Sequence, residues 1–235
     1  MRKFLISALV CLIILTTSVN ALASYNSEID VEAEIVFLQS MDDGTVIFDK
    51  NADMLTAPAS LAKIVTASIV LENAQNLDEI VEVPNYAIRL LDGTNSSTAG
   101  LLPGEQMSVR NLLYCMLVAS ANDAANVLAD YICPNNIGAF VQMMNEYVKS
   151  IGCENTVFIN PSGLDAEGQY TTARDVAKFT LKALENPIFE EITSTKKYTI
   201  PPTNKYPQER NLISTVKIMN SGIKDYYIPT AKGIK

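Results

Sequence analysis

The sequence predicts an α/β fold in which strands from both ends of the chain share one sheet and helices form a lobe beside it. Two strand-like runs around a Met-Asp-Asp-Gly turn predict a hairpin over residues 33–48. Apolar residues at helical spacing dominate residues 60–186. A two-residue period then returns at 197–200, at 212–216 and from Tyr227 onward. This order, strands then helices then strands, gives the fold class.

Start and stop signals divide the middle block into helices. The apolar run after Ser60 predicts a helix that ends near residue 73, followed by a short strand-like stretch over 77–83. Residues 89–105 are rich in Gly, Ser, Thr and Asn and predict a loop. The other predicted helices run from the N-cap Ser108 through Leu117, from about Asp123 to Tyr131, and from Ile137 to Ile151 before the C-cap Gly152. A last helix begins at Thr172, which with Asp175 forms a capping-box variant, and ends at Asn186-Pro187.

The first residues have the features of a secretory signal peptide. Arg2 and Lys3 precede an apolar run, and Ala21-Leu22-Ala23 supplies a small-residue cleavage site. The run is short for a membrane span, which makes an uncleaved anchor the less favoured alternative. We therefore expect residues 1–23 to be removed on export to the cell envelope and residues 24–235 to form the mature domain.

Composition excludes several classes of function. The 235 residues contain no histidine, which rules out Ser-His-Asp and Cys-His catalysis and imidazole-based zinc sites. A net charge of −8 makes nucleic acid an unsuitable partner. Cys115, Cys133 and Cys153 are an odd number without paired spacing, so no disulfide framework is predicted, although a Cys133–Cys153 bridge stays open.

The most informative stretch surrounds Ser60. Because a helix turns about 100° per residue, Ser60 and Lys63 lie on one face within reach of each other. The unpaired N–H groups of a helix start favour developing negative charge nearby. A buried lysine next to another cation loses its proton more easily and can then act as a base. Ser60 and Lys63 therefore predict an activated serine, although a capping serine beside a solvated lysine would give the same motif.

Two further sites extend this pattern. Ser120-Ala121-Asn122 lies at a predicted break between helices, where a hydroxyl and an amide can both face a cleft. Lys235 ends a strand-like segment at the end of the sequence. The order Ser-x-x-Lys, Ser-x-Asn, Lys is that of penicillin-binding enzymes and serine β-lactamases.

The chain resembles the serine D-alanyl-D-alanine carboxypeptidases, the low-molecular-mass penicillin-binding proteins, over nearly its whole mature length. The resemblance implies their transpeptidase fold, with an antiparallel sheet packed with helices, an all-helical lobe, and here a sheet left incomplete at the C-terminal end. It implies neither a cofactor nor a metal. The matching blocks are residues 57–67, residues 100–105 with 112–114 and 119–125, and residues 160–165 with 170–175.

The resemblance also implies roles for the site residues. Ser60 would be the acyl-enzyme nucleophile, Lys63 its base, and Ser120 the proton relay to the leaving group. Asn122 would hold the substrate's amide backbone, and Lys235 would face its terminal carboxylate. The implied reaction removes the terminal D-alanine from peptidoglycan stem peptides, and β-lactams would acylate the same serine.

The sequence also departs from the family. Ser162 and Gln169 stand where histidines are frequent, and Val216 stands where an asparagine is usual. The family continues past its lysine with Thr-Gly, more sheet and often a C-terminal amphipathic helix that contacts the membrane. We therefore expect the sequence to be a fragment of a longer protein. If Lys235 were the natural end, a half-built oxyanion hole would cost about 10²–10³ in rate.

Two alternatives share the same three motifs. A β-lactamase would need a carboxylate that activates the deacylating water, for which Asp165 and Glu167 are the candidates in this part of the chain. A wall-binding or β-lactam-sensing domain would keep the pocket without turnover.

Overall fold

The computed structural model describes residues 31–219, 221–222, 228 and 231–234. The described residues divide into two units, one over residues 31–51 and one that begins at Ala52. The predicted signal peptide and Lys235 lie outside the described residues, as does most of the strand predicted from Tyr227.

The described part of the first unit is a β-hairpin, as the sequence predicts. Strand β1, Val36–Gln39, pairs antiparallel with β2, Val46–Lys50. The turn between them needs Gly44, whose φ of 73° lies in the left-handed region that glycine adopts freely. The Gln39 side-chain amide donates to the Gly44 carbonyl oxygen and closes the turn.

The second unit is built around one helix, α1, which follows a 3₁₀ turn at Ala59–Leu61. The first nine residues of α1 are all buried, because other helices pack on every side of it. The helices are α1 (Ala62–Asn73), α2 (Asn85–Arg89), α3 (Val109–Val118), α4 (Asn122–Ile132), α5 (Ile137–Ser150), α6 (Ala173–Leu184) and α7 (Pro187–Thr193).

Capping residues fix where several helices begin. The Ser108 hydroxyl accepts the Asn111 N–H at the start of α3, and the Thr172 hydroxyl accepts the Asp175 N–H at the start of α6. Both caps were predicted from sequence. The Asn186-Pro187 pair ends α6 as predicted but also begins α7, which was not predicted, because proline is tolerated at the first position of a helix.

The strands of the second unit form two small antiparallel pairs. Strand β3, Ile80–Glu82, pairs with β4, Gln106–Ser108, and β5, Lys197–Ile200, pairs with β6, Arg210–Ile213. The α/β class is confirmed. The single sheet shared by the two ends of the chain is not found among the described strands, which pair two by two. The hairpin and the β5–β6 pair each join strands that are neighbours in sequence, so their hydrogen bonds are made locally.

The three described cysteines are free, so the Cys133–Cys153 bridge is not formed. Cys133 Sγ instead lies 3.5 Å from Met143 Sδ. Within the described residues, no helix is long and apolar enough to cross a membrane.

Candidate active site

Ser60 lies in the 3₁₀ turn immediately before α1. Its neighbour Ala59 has a φ of 45°, a left-handed conformation that a residue with a side chain rarely adopts. The Leu61 N–H donates to the Pro58 carbonyl at 3.1 Å and tightens the turn. The half-buried Ser60 side chain is therefore presented from a short, constrained segment rather than from the regular helix.

The turn at residues 160–164 packs directly against this segment. The Asn160 side-chain oxygen accepts the N–H groups of Ser162, Gly163 and Leu164 at 2.8–3.2 Å and so organises the turn. A Cβ atom on Gly163 would lie 1.7 Å from the Ala59 carbonyl oxygen. Only glycine permits this contact, which brings the 160–164 turn beside the candidate nucleophile.

Lys63 is fully buried, with 0% of its surface exposed. Its Nζ lies 3.2 Å from Ser60 Oγ and donates to the Ser162 carbonyl oxygen at 2.6 Å. Burial lowers the pKa of Lys63 from 10.5 to about 7, and the negative charge of Asp123 opposes this shift without overcoming it. At neutral pH a large fraction of Lys63 is therefore an uncharged amine.

Ser120 lies 60 positions after Ser60 in the sequence, and the fold brings the two side chains together. Ser120 occupies the break between α3 and α4, has a φ of 60°, and donates from Oγ to Ser60 Oγ at 2.8 Å. Asn122 is the first residue of α4 and is 6% exposed. Its backbone N–H donates to the Ser97 carbonyl at 2.8 Å.

The resulting hydrogen-bond chain can move a proton. Ser60 Oγ lies between Ser120 Oγ and Lys63 Nζ, so its own proton can point at the amine while it accepts from Ser120. An uncharged amine at this distance can accept that proton and leave an alkoxide-like nucleophile. The structure thus brings Ser60, Lys63 and Ser120 together. Asn122 lies at the start of α4, next to the turn that carries Ser120, and Lys235 lies outside the described residues.

Some contributors to the site were missed by sequence analysis. The Ser162 carbonyl contacts Lys63, whereas the sequence marked Ser162 only as a departure from a family histidine. Asp123 is buried and acts on Lys63, and its one sequence signal was its place after Asn122. The carboxylates weighed for a β-lactamase, Asp165 and Glu167, are both exposed.

Comparisons with known proteins identify the family. Residues 21–233 match the family model described as D-alanyl-D-alanine carboxypeptidase. The chain is 32% identical over 203 residues to the D-alanyl-D-alanine carboxypeptidase DacF of Bacillus subtilis, covering 83% of this chain and 51% of the relative. It is 34% identical over 207 residues to DacC of Escherichia coli, covering 83% and 50%. The chain thus spans about half the length of these curated relatives.

Two solved structures of related enzymes have a similar fold. A DD-transpeptidase from Streptomyces aligns with a TM-score of 0.75 at 29% identity, covering 82% of this chain and 78% of the other. The D-alanyl-D-alanine carboxypeptidase DacD of Francisella tularensis aligns with a TM-score of 0.68 at 31% identity, covering 81% and 45%. The fold is therefore that of the penicillin-binding DD-peptidases, and the chain belongs to the D-alanyl-D-alanine carboxypeptidase family.

Proposed function

We propose that this protein is a serine-type D-Ala-D-Ala carboxypeptidase that removes the terminal D-alanine from peptidoglycan stem peptides. One observation supports the proposal above the others. A fully buried amine with a pKa of about 7 lies 3.2 Å from the hydroxyl of Ser60, and a second hydroxyl, that of Ser120, lies 2.8 Å from the same oxygen. This arrangement supplies a nucleophile, a base and a proton donor in a chain without histidine.

In the proposed reaction, Ser60 Oγ attacks the carbonyl carbon of the last peptide bond while Lys63 Nζ takes its proton. The C–N bond then breaks, and Ser120 passes the proton to the leaving amine of D-alanine. The product is an ester on Ser60, which a water molecule hydrolyses to free acid and free serine. Asn122 would hold the amide backbone of the stem peptide, and Lys235 its terminal carboxylate.

The same chemistry explains the proposed inhibitors. A β-lactam carries a strained amide that Ser60 would open to form the same kind of ester. We propose export by the signal peptide at residues 1–23, which would bring residues 24–235 to the cell envelope, where peptidoglycan lies. Association with the membrane through a segment beyond Lys235 also belongs to this proposal.

Labelling with a fluorescent penicillin tests the site assignment. The full-length gene product, its Ser60→Ala variant and a Ser150→Ala control are incubated with the drug and examined after denaturing electrophoresis. Ser150 is an exposed serine at the end of α5, so its substitution keeps the fold and the site. We expect covalent label on the parent and the control but not on Ser60→Ala, and equal labelling of all three would refute the assignment.

Release of D-alanine separates the enzyme from its alternatives. A stem peptide ending in D-Ala-D-Ala is incubated with the parent protein and with Ser60→Ala, and free D-alanine is measured. A carboxypeptidase releases D-alanine only with Ser60 present. Stable penicillin label without D-alanine release would indicate a sensing domain, and rapid drug turnover without peptide cleavage would indicate a β-lactamase.

A further inference from the structure

Residues 97–101 cross over the turn that carries Ser120. The Ser97 carbonyl accepts the Asn122 N–H at 2.8 Å, and the Ser97 hydroxyl donates to the Ala119 carbonyl at 3.2 Å. These two hydrogen bonds contact the residue before Ser120 and the second residue after it. The 97–101 segment therefore holds the turn from both sides of the candidate proton relay.

The turn needs this support because Ser120 has an unfavourable backbone conformation. Its φ of 60° lies in the left-handed region, which costs a residue with a Cβ atom about 1–3 kcal/mol. Such a conformation persists only where the surrounding structure determines it. Without the bonds from Ser97, the turn could relax and carry the Ser120 hydroxyl away from Ser60.

The segment is in turn held by the carboxylate of Asp123. Its two oxygens accept the Ala99 N–H at 2.9 and 3.1 Å, the Leu101 N–H at 3.0 Å and the Ala124 N–H at 2.9 Å. Asp123 is only 2% exposed, so its carboxylate makes these bonds from a buried position. Because an ionised carboxylate only accepts, it satisfies every N–H that faces it, which an amide side chain cannot do.

A second contact holds the same segment independently. The Arg210 guanidinium, paired with the buried Glu105 carboxylate, reaches the Gly100 carbonyl at 3.4 Å. Loss of Asp123 bonds would therefore loosen the segment without detaching it, and variants of Asp123 should still fold.

We propose that Asp123 is a positioning residue for acylation at this site: its carboxylate fastens the 97–101 segment over the Ser120 turn and so keeps the Ser120 hydroxyl on Ser60. This deepens the proposed function and rests on it. Asp123 acts through backbone groups and Ser120, and it need not touch the substrate.

The charge of Asp123 provides a readout that a purely structural role would not affect. Among the described ionisable groups, Asp123 is the one whose charge acts on Lys63, and it raises the pKa of Lys63 against the larger effect of burial. An Asp123→Asn substitution removes this charge and therefore lowers the pKa of Lys63 further. The acid limb of the acylation rate should then move to lower pH, because the amine stays uncharged in more acidic solution.

A matched pair of variants tests the proposal. Asp175 is also 2% exposed, lies in the first turn of α6, and accepts the Asn155 N–H and the Thr156 hydroxyl. The full-length wild type, Asp123→Asn and Asp175→Asn are compared by their second-order acylation rate constants with a fluorescent penicillin between about pH 5.5 and 8.5, and by their Tm values. Both variants replace a buried carboxylate that accepts a backbone N–H, and both should lose stability.

The two variants should differ in acylation. We expect Asp123→Asn to acylate about 10- to 100-fold more slowly at its best pH, with its acid limb displaced to lower pH. Asp175→Asn should stay within about threefold of wild type, with its limb in place. A wild-type rate at the best pH in Asp123→Asn would overturn the proposal whether or not the limb moves, as would equal rate losses in both variants without displacement of the limb.

Ser97→Ala keeps the test decisive if Asp123→Asn does not fold. Ser97 is exposed, and the substitution removes only its bond to the Ala119 carbonyl. A loss of roughly three- to fivefold in acylation rate at unchanged Tm supports the proposal, and an unchanged rate overturns it. A wild-type protein that penicillin does not label would instead refute the proposed function, so the two failures are distinguishable.

Discussion

The pKa of Lys63 makes a quantitative prediction about the pH dependence of acylation. Lys63 is fully buried, and burial lowers its pKa from 10.5 to about 7. In the proposed reaction the uncharged amine is the base, so the acylation rate should follow the fraction of Lys63 that is unprotonated. That fraction falls as the pH falls through 7.

The size of the effect follows from this pKa. The unprotonated fraction is about one tenth at pH 6, one half at pH 7 and nine tenths at pH 8, so acylation should rise about tenfold between pH 6 and 8. An unshifted lysine would be unprotonated in only about 1 molecule in 3,000 at pH 7. Burial thus raises the active fraction by about three orders of magnitude at neutral pH.

The assay is the second-order rate constant of acylation by a fluorescent penicillin, measured at constant ionic strength between about pH 5.5 and 8.5, because this constant reports the pKa values of the free enzyme. A Lys63→Arg variant keeps a cation that does not deprotonate and should lose about 10³-fold in rate. The control is Lys149→Arg, on the exposed end of α5. A flat pH profile in the wild type, or a Lys63→Arg variant as fast as the control, would refute Lys63 as the base.

Three further predictions concern stability. Lys63→Met should stabilise the protein by about 2 kcal/mol at pH 7 in chemical denaturation. Between pH 7 and 10.5 the unfolded protein keeps a proton on Lys63 that the folded protein has lost. The wild type therefore gains about 1.4 kcal/mol of stability per pH unit, and the advantage of the variant should vanish within about two pH units above 7. Gly163→Ala places a Cβ 1.7 Å from a backbone oxygen and should cost about 3 kcal/mol of unfolding free energy. Its control, Gly152→Ala, has the same φ and open space around it and should cost only about 1–2 kcal/mol. Equal losses of stability in the two variants would contradict the clash. Glu105→Gln leaves the buried Arg210 without its ion pair and should cost about 3 kcal/mol in the same assay, and a cost near zero would show that the pair is dispensable.

Local signals in the sequence predicted the elements that carry the site. The caps of α3 and α6 were recognised because a side-chain oxygen and the N–H that it accepts are three residues apart. Ser60 and Lys63 were placed within reach of each other by the same short-range geometry, and the structure puts Lys63 Nζ 3.2 Å from Ser60 Oγ. Helical spacing and capping rules depend only on near neighbours, so one sequence suffices to apply them.

The contacts that complete the site were not predictable in this way. The Ser162 carbonyl reaches Lys63 across 99 positions of sequence, and the Asp123 carboxylate holds N–H groups 22 and 24 positions away. Only the folded chain brings such groups together. The missed strand β4 has the same origin, because its residues lie between the predicted loop at 89–105 and the helix predicted from Ser108, and they are extended by pairing with β3.

The proposed chemistry depends on several features that each destabilise the fold. Lys63 is fully buried, and within the described residues its Nζ contacts a hydroxyl and a carbonyl oxygen rather than a carboxylate. Both Ala59 and Ser120 have a positive φ. The uncharged state of Lys63 follows from its burial, and the approach of Ser120 to Ser60 follows from a turn that the 97–101 segment must hold. Because α1 is packed on every side, the fold can hold these unfavourable groups in place. Substitutions that relieve them should therefore stabilise the protein and slow acylation together, whereas stabilising substitutions elsewhere in α3–α7 should leave the acylation rate unchanged.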